Sequence, residues 1–159
     1  MATKLTASNF KVTITEQINL SGKDQGSINV VNIPNIATIS KRILNITTNE
    51  AVIATFSGAV ASAGHYNDAA VRYMRFTNKD DTYFITLTFR NQDNDEVAIK
   101  LDAGQSFIWC GDNANGMSAV FNATEDADAA SDSNFGSLTN IQADAEASTV
   151  DMEMLIASI

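Results

Sequence analysis

The sequence holds one cysteine, one proline, one histidine and one tryptophan in 159 residues. The lone Cys110 cannot form an internal disulfide and leaves no cysteine cluster for zinc, so stability has to come from packing or assembly. His65 cannot build a histidine metal site without carboxylates and has no recognisable partner for general-base work. It reads as a solvated loop residue. Pro34 alone, with eight glycines, excludes collagenous and proline-rich architectures. No apolar run approaches the ~18 residues of a membrane span, and residues 1–11 lack a charged leader followed by an apolar stretch. A soluble protein made and folded in a cytoplasm, with no membrane partner, is expected.

Positive charge is scarce in the second half. Residues 1–75 hold seven Lys/Arg against four Asp/Glu, whereas residues 76–159 hold three against fifteen, a net of −12, with no base after Lys100. Such a surface repels phosphate backbones, so no nucleic-acid partner is expected. The unevenness serves solubility, or it lets the mildly basic first half meet the acidic half of a neighbouring copy, or the acidic half meet a basic partner.

What the sequence has is material for a core. Hydrophobic residues make up 45% and charged residues 18%, and Ile, Val and Phe interleaved with Thr, Asn and Ser favour pleated surfaces over helices. Phe10, Val12, Ile14, Ile18 and Leu20 share one parity, with Lys11, Thr13, Thr15, Gln17 and Asn19 on the other, the period of a strand with one face buried. Turn residues 21–26 then lead into a strand over 27–33 that runs up to Pro34. Residues 41–47 and 51–56 form two further strands around a short connection, and 57–70 reads as a small-residue loop. The runs 71–77, 83–91 and 96–101 predict an antiparallel meander, with Tyr83, Ile85, Leu87 and Phe89 on one face of the middle strand.

Within 106–110, Phe107 and Trp109 point together towards the core, and Cys110 reads as buried, like a small hydrophobe. A short strand over 119–122, an exposed acidic loop over 125–134 and strands over 138–143 and 149–159 complete the chain. In the last of these, Val150, Met152, Met154 and Ile156 alternate with Asp151, Glu153, Leu155 and Ala157. The sum is an all-β chain of nine or ten strands, an antiparallel β-sandwich of jelly-roll or Ig-like type, in a single domain spanning 1–159.

The pattern yields no catalytic, cofactor-binding or metal-binding residues, so no enzyme and no cofactor are expected. Asp93, Asp95 and Glu96 lack the glycine and distal glutamate of an EF-hand and sit where a hairpin turn is expected. Glu125, Asp126, Asp128 and Asp132 read as a solvated loop. The glycines Gly22, Gly26, Gly104, Gly111 and Gly116 fit no phosphate-cradling spacing. Tyr66, Tyr73, Tyr83, Phe84 and Trp109 lie at strand spacing, which favours core positions over a sugar-stacking platform.

Three stretches carry a resemblance. They are Arg72-Tyr73-Met74-Arg75-Phe76-Thr77-Asn78-Lys79-Asp80, the alternating strand after it, and Lys100-Leu101-Asp102-Ala103-Gly104-Gln105-Ser106-Phe107. With the closing VDMEMLIASI and the early INLSGKDQGS, the chain resembles small virion structural proteins of tailed, particularly marine, bacteriophages. The resemblance implies a virion component assembled in the host cytoplasm: a capsid decoration or cement subunit that bridges and stabilises major capsid proteins and self-associates, for instance as a trimer. The alternative it implies is a structural part of the tail, connector or fibre, or a receptor- or glycan-binding module. Residues 1–9, 57–70 and 125–134 are the expected contact elements, because no core pattern demands them.

Overall fold

The computed structural model describes residues 6–59, 62–110, 116–117 and 137–159, which form thirteen β-strands and no helix. The expected strand over 119–122 and the acidic loop over 125–134 lie outside the described residues. The chain is all-β with predominantly antiparallel sheets. It divides into two compact units, one within Met1–Thr38 and the other Ile39–Ser158.

The first unit is a two-stranded ribbon. β1 (Ser8–Glu16) pairs antiparallel with β4 (Ser27–Ile36), and between them β2 (Asn19–Leu20) and β3 (Lys23–Asp24) form a smaller pair. Ser21 and Gly22 both have positive φ, 52° and 79°, the backbone twist that a two-residue hairpin connection needs. β4 does not stop at Pro34 but continues to Ile36. A register shift between Ser8 and Phe10 interrupts the ladder opposite this stretch, and a bulge is where a residue without an N–H is tolerated in a strand.

The second unit holds a four-stranded sheet, ordered β11-β8-β13-β5, and a five-stranded sheet, ordered β10-β9-β12-β6-β7. The former contains β5 (Thr38–Ile46), β8 (Val71–Asn78), β11 (Ser106–Cys110) and β13 (Val150–Ser158). The latter contains β6 (Ala51–Ser57), β7 (His65–Asn67), β9 (Ile85–Asn91), β10 (Glu96–Leu101) and β12 (Leu138–Ala145). Thirteen strands exceed the nine or ten expected. β2, β3 and β7 are two or three residues long, too short to carry a period that a sequence could display.

One hydrophobic cluster draws on both sheets of this unit. Val150, Met152, Met154 and Ile156 of β13 and Ile85, Leu87 and Phe89 of β9 are all buried, as their alternation predicts. Phe89 sits at the centre of an aromatic group, with ring centroids 6.3 Å from Phe76, 5.6 Å from Phe107 and 5.2 Å from Trp109. Phe76 stands on β8 and the other two on β11, so this contact joins the inner faces of the two sheets.

The expected three-strand meander is corrected. β9 pairs with β10 and β12, whereas β8 pairs with β11 and β13, so the chain changes sheet between β8 and β9. The buried Asn78 side chain organises that crossing. Its Nδ2 donates to the carbonyls of Tyr83 at 2.9 Å and Leu101 at 3.1 Å, and its Oδ1 accepts from the Asp80 N–H at 2.9 Å. Asp80 then accepts from the N–H groups of Tyr83 and Thr82, and these bonds hold its carboxyl below the usual range.

Candidate docking surfaces

The ribbon of the first unit presents apolar side chains on both faces. Partners in the register share a face, so Phe10 and Ile33, then Val12 and Val31, then Ile14 and Asn29 line one side. Thr13 with Val30, and Thr15 with Ile28, line the other. The alternation of β1 predicts one buried face, and the structure departs from this. Ile33 is buried and Phe10 and Val12 half-buried, but Val31 is 42% exposed, Ile14 40% and Ile28 69%. Ile18 and Leu20 are exposed as well. Among the described residues the sheet of β1 and β4 is two strands wide, a single layer that by itself cannot bury both of its faces.

In the second unit a cleft of about 480 Å³ opens along β5 and β6. β5 is the edge of the four-stranded sheet, while β6 and β7 close one side of the five-stranded sheet, so the sheet edges part here. On β5 the inward positions are Ser40, Arg42, Leu44 and Ile46, polar at one end and apolar at the other. Ser40 Oγ and Tyr66 Oη are 3.0 Å apart, a hydrogen bond from β5 to β7. Gly64 enters the lining at φ +88°, with its carbonyl accepting from the Thr55 N–H. A Cβ there would come within 3.3 Å of Arg42 Nη1, so the bare glycine lets the loop lie against the guanidinium.

The sequence places His65 in a solvated loop, and the structure corrects this. His65 begins β7, which pairs parallel to β6 with Thr55 opposite His65, and it is half-buried in the cleft lining. Cys110 is exposed, not buried. Phe107 and Trp109 turn inward on β11, so the residue next to Trp109 must face out. Partial desolvation still pushes the Cys110 thiol up.

Asp93 and Asp95 occupy the β9–β10 turn, and Glu96 opens β10. The Asn91 Oδ1 accepts from the N–H groups of Asp93 and Asp95, while Glu96 pairs with Arg90. Among the described residues no group of three His, Cys, Asp or Glu is placed to hold a metal. Tyr73 is buried, and Tyr66, Tyr83 and Trp109 are half-buried against the core, so these rings are spent on packing. Of the contact elements expected from sequence, 125–134 lies outside the described residues. The 57–70 stretch contributes Ala63, Gly64 and His65 to the cleft. The apolar exposure of β1 and β4 is the feature that sequence reading missed, although Ile28, Val30 and Val31 in succession carry no clean alternation. No family model, curated protein or solved structure matches the chain.

Proposed function

We propose that the chain is a structural subunit of a tailed-bacteriophage virion, a capsid decoration or cement protein that bridges major capsid subunits without chemistry of its own. In this reading the larger unit is a two-sheet antiparallel sandwich of the jelly-roll or Ig-like type, and the ribbon is the clamp. The observation that carries it is the apolar exposure of Ile14, Ile28, Val30 and Val31 on a ribbon only two strands wide among the described residues.

An isolated two-stranded hairpin is marginal in water, so a chain that keeps one gains by docking it on another surface. At ~3.3 Å per residue the ribbon is roughly 30 Å long, and two strands with their side chains span about 10 Å. Each face then offers about 300 Å², and covering both gives about 600 Å², the low end of the roughly 600–1,000 Å² per partner of a stable interface. Repetition over a shell multiplies even a modest affinity at each site.

The test is the copy number in purified particles, measured against the major capsid protein, together with add-back of the protein to particles that lack it. Copies on the order of hundreds per particle, and loss of add-back in Ile14→Ser/Val31→Ser, support the reading. A count of about a dozen or fewer moves the protein to the tail, connector or fibre and ends the decoration reading.

A further inference from the structure

We propose that the cleft along β5 and β6 binds a carboxylate carried on a short apolar stem. This goes beyond the docking role, and it rests on how Arg42 is placed. Each of the other three arginines has a partner. Arg72 donates to the Ala69 carbonyl at 2.6 Å, Arg75 pairs with Glu153, and Arg90 Nε lies 2.7 Å from Glu96. Arg42 has neither a carboxylate nor a carbonyl partner among the described residues, although it is half-buried on the inward side of its strand. Among the described residues no Asp or Glu lines the cleft that it enters.

The surroundings select the class of ligand. Beside the guanidinium, Leu44 and Ile53 line the cleft over a floor of buried Ile46, Ala54 and Ala143, with Thr47 and Thr55 among them. The volume falls in the range of small-molecule pockets, which are mainly apolar with a few polar groups that fix orientation. A guanidinium presents paired N–H donors that match the two oxygens of a carboxylate. A phosphate would call for further cations or a nest of main-chain N–H groups, whereas among the described lining residues His65 is the one other basic side chain. Gly64 keeps the approach to Arg42 Nη1 free of a side chain.

The experiment is a titration of the full chain, labelled for detection of arginine Nε–H and main-chain N–H resonances by NMR, with hexanoate, hexan-1-ol and hexylammonium. Saturable shifts at Arg42 and Gly64 are expected with hexanoate, at least about tenfold tighter than with the alcohol, and Arg42→Gln removes the difference. Equal binding of the alcohol, absence of saturation up to roughly 10 mM, or unchanged hexanoate binding in folded Arg42→Gln would each overturn the proposal. If Arg42→Gln does not fold, the comparison of hexanoate with hexan-1-ol on the parent chain decides alone.

Dilution of the parent chain without ligand identifies the natural source. Arg42 shifts that follow protein concentration, and that hexanoate reverses, assign the carboxylate to a side chain of a second copy. Saturable hexanoate binding without such dilution shifts assigns it to a free small molecule. Neither result depends on particle copy number, so the cleft and the virion role can fail separately.

Discussion

The side-chain amide of Asn78, at the end of β8, donates to the main-chain carbonyl of Leu101, at the end of β10, and so ties a strand of one sheet to a strand of the other. The same nitrogen serves the Tyr83 carbonyl. Asn78→Leu keeps the branched outline but leaves two carbonyls and the Asp80 N–H without their partner, and a lost buried bond costs about 1–3 kcal/mol. A fall in unfolding free energy of about 3 kcal/mol is expected from urea titration. A change below about 0.5 kcal/mol would show that water replaces the amide at the crossing.

Glu153 on β13 gathers charge from two neighbouring strands. Lys41 Nζ lies 3.0 Å from one carboxylate oxygen and Arg75 pairs with the other. The hydrogen bond from Lys41, followed by the nearby charge of Arg75, holds the carboxyl below its ordinary value of 4.5. A carboxyl whose value is depressed in the fold adds stability above the unfolded value, and that stability disappears as pH falls through the folded one. Because Lys41 is largely exposed, Glu153→Gln should cost only about 1 kcal/mol at pH 7. The gap to the parent should close at a pH well below the ordinary value of 4.5, once the folded carboxyl is protonated as well. Urea titrations of both proteins at the two pH values measure it, and a gap that persists in acid would assign the loss to packing.

Phe89 is the ring on which Phe76, Phe107 and Trp109 converge. Phe89→Ala removes it from a site 1% exposed, a change that costs about 3–5 kcal/mol. Trp109 emission should shift to the red in the same variant, because its indole rests edge-on against that ring. Unchanged emission with reduced stability would mean that the neighbours collapse into the space.

Gly116 has φ +64°, and a Cβ there would overlap the Asp68 carbonyl oxygen and stand 2.7 Å from Arg72 Nη1. The next residue, Met117, is fully buried, with its N–H 2.7 Å from the same carbonyl. Gly116→Ala therefore has to displace main chain as well as adopt a strained φ, and a loss of about 2–3 kcal/mol is expected in thermal or urea unfolding. Gly104, with φ +73° and open space around it, is the control. Alanine there should cost about 1 kcal/mol from backbone strain alone.

The sequence was readable where one strand face meets a core. Met152 and Met154 of β13, and Leu87 and Phe89 of β9, follow a period of two because each strand has one face against the shared cluster. The same period misleads on β1, where Val12 and Ile14 alternate as if a core lay beneath them, because alternation reports an apolar side and not what covers it. Cys110 was legible by parity, since Trp109 faces inward, but the general preference of cysteine for burial pointed the other way. The cleft was hidden, because Arg42, Gly64 and His65 are brought together by the parting of two sheets at β5 and β6. No spacing along the chain records that. β7 is three residues long and paired in parallel, which leaves no local pattern.

The outward turn of Cys110 gives the molecule a single chemical address. Since the sequence contains no other thiol, a maleimide or iodoacetamide probe can attach at one place per chain, on the outer face of β11. The raised thiol value makes that attachment slower at neutral pH than for a fully solvated cysteine and quicker in mild alkali, since the thiolate is the reacting form. Any assembly built from this chain would therefore be decorated at a density fixed by its own copy count, on a strand face that the core does not use.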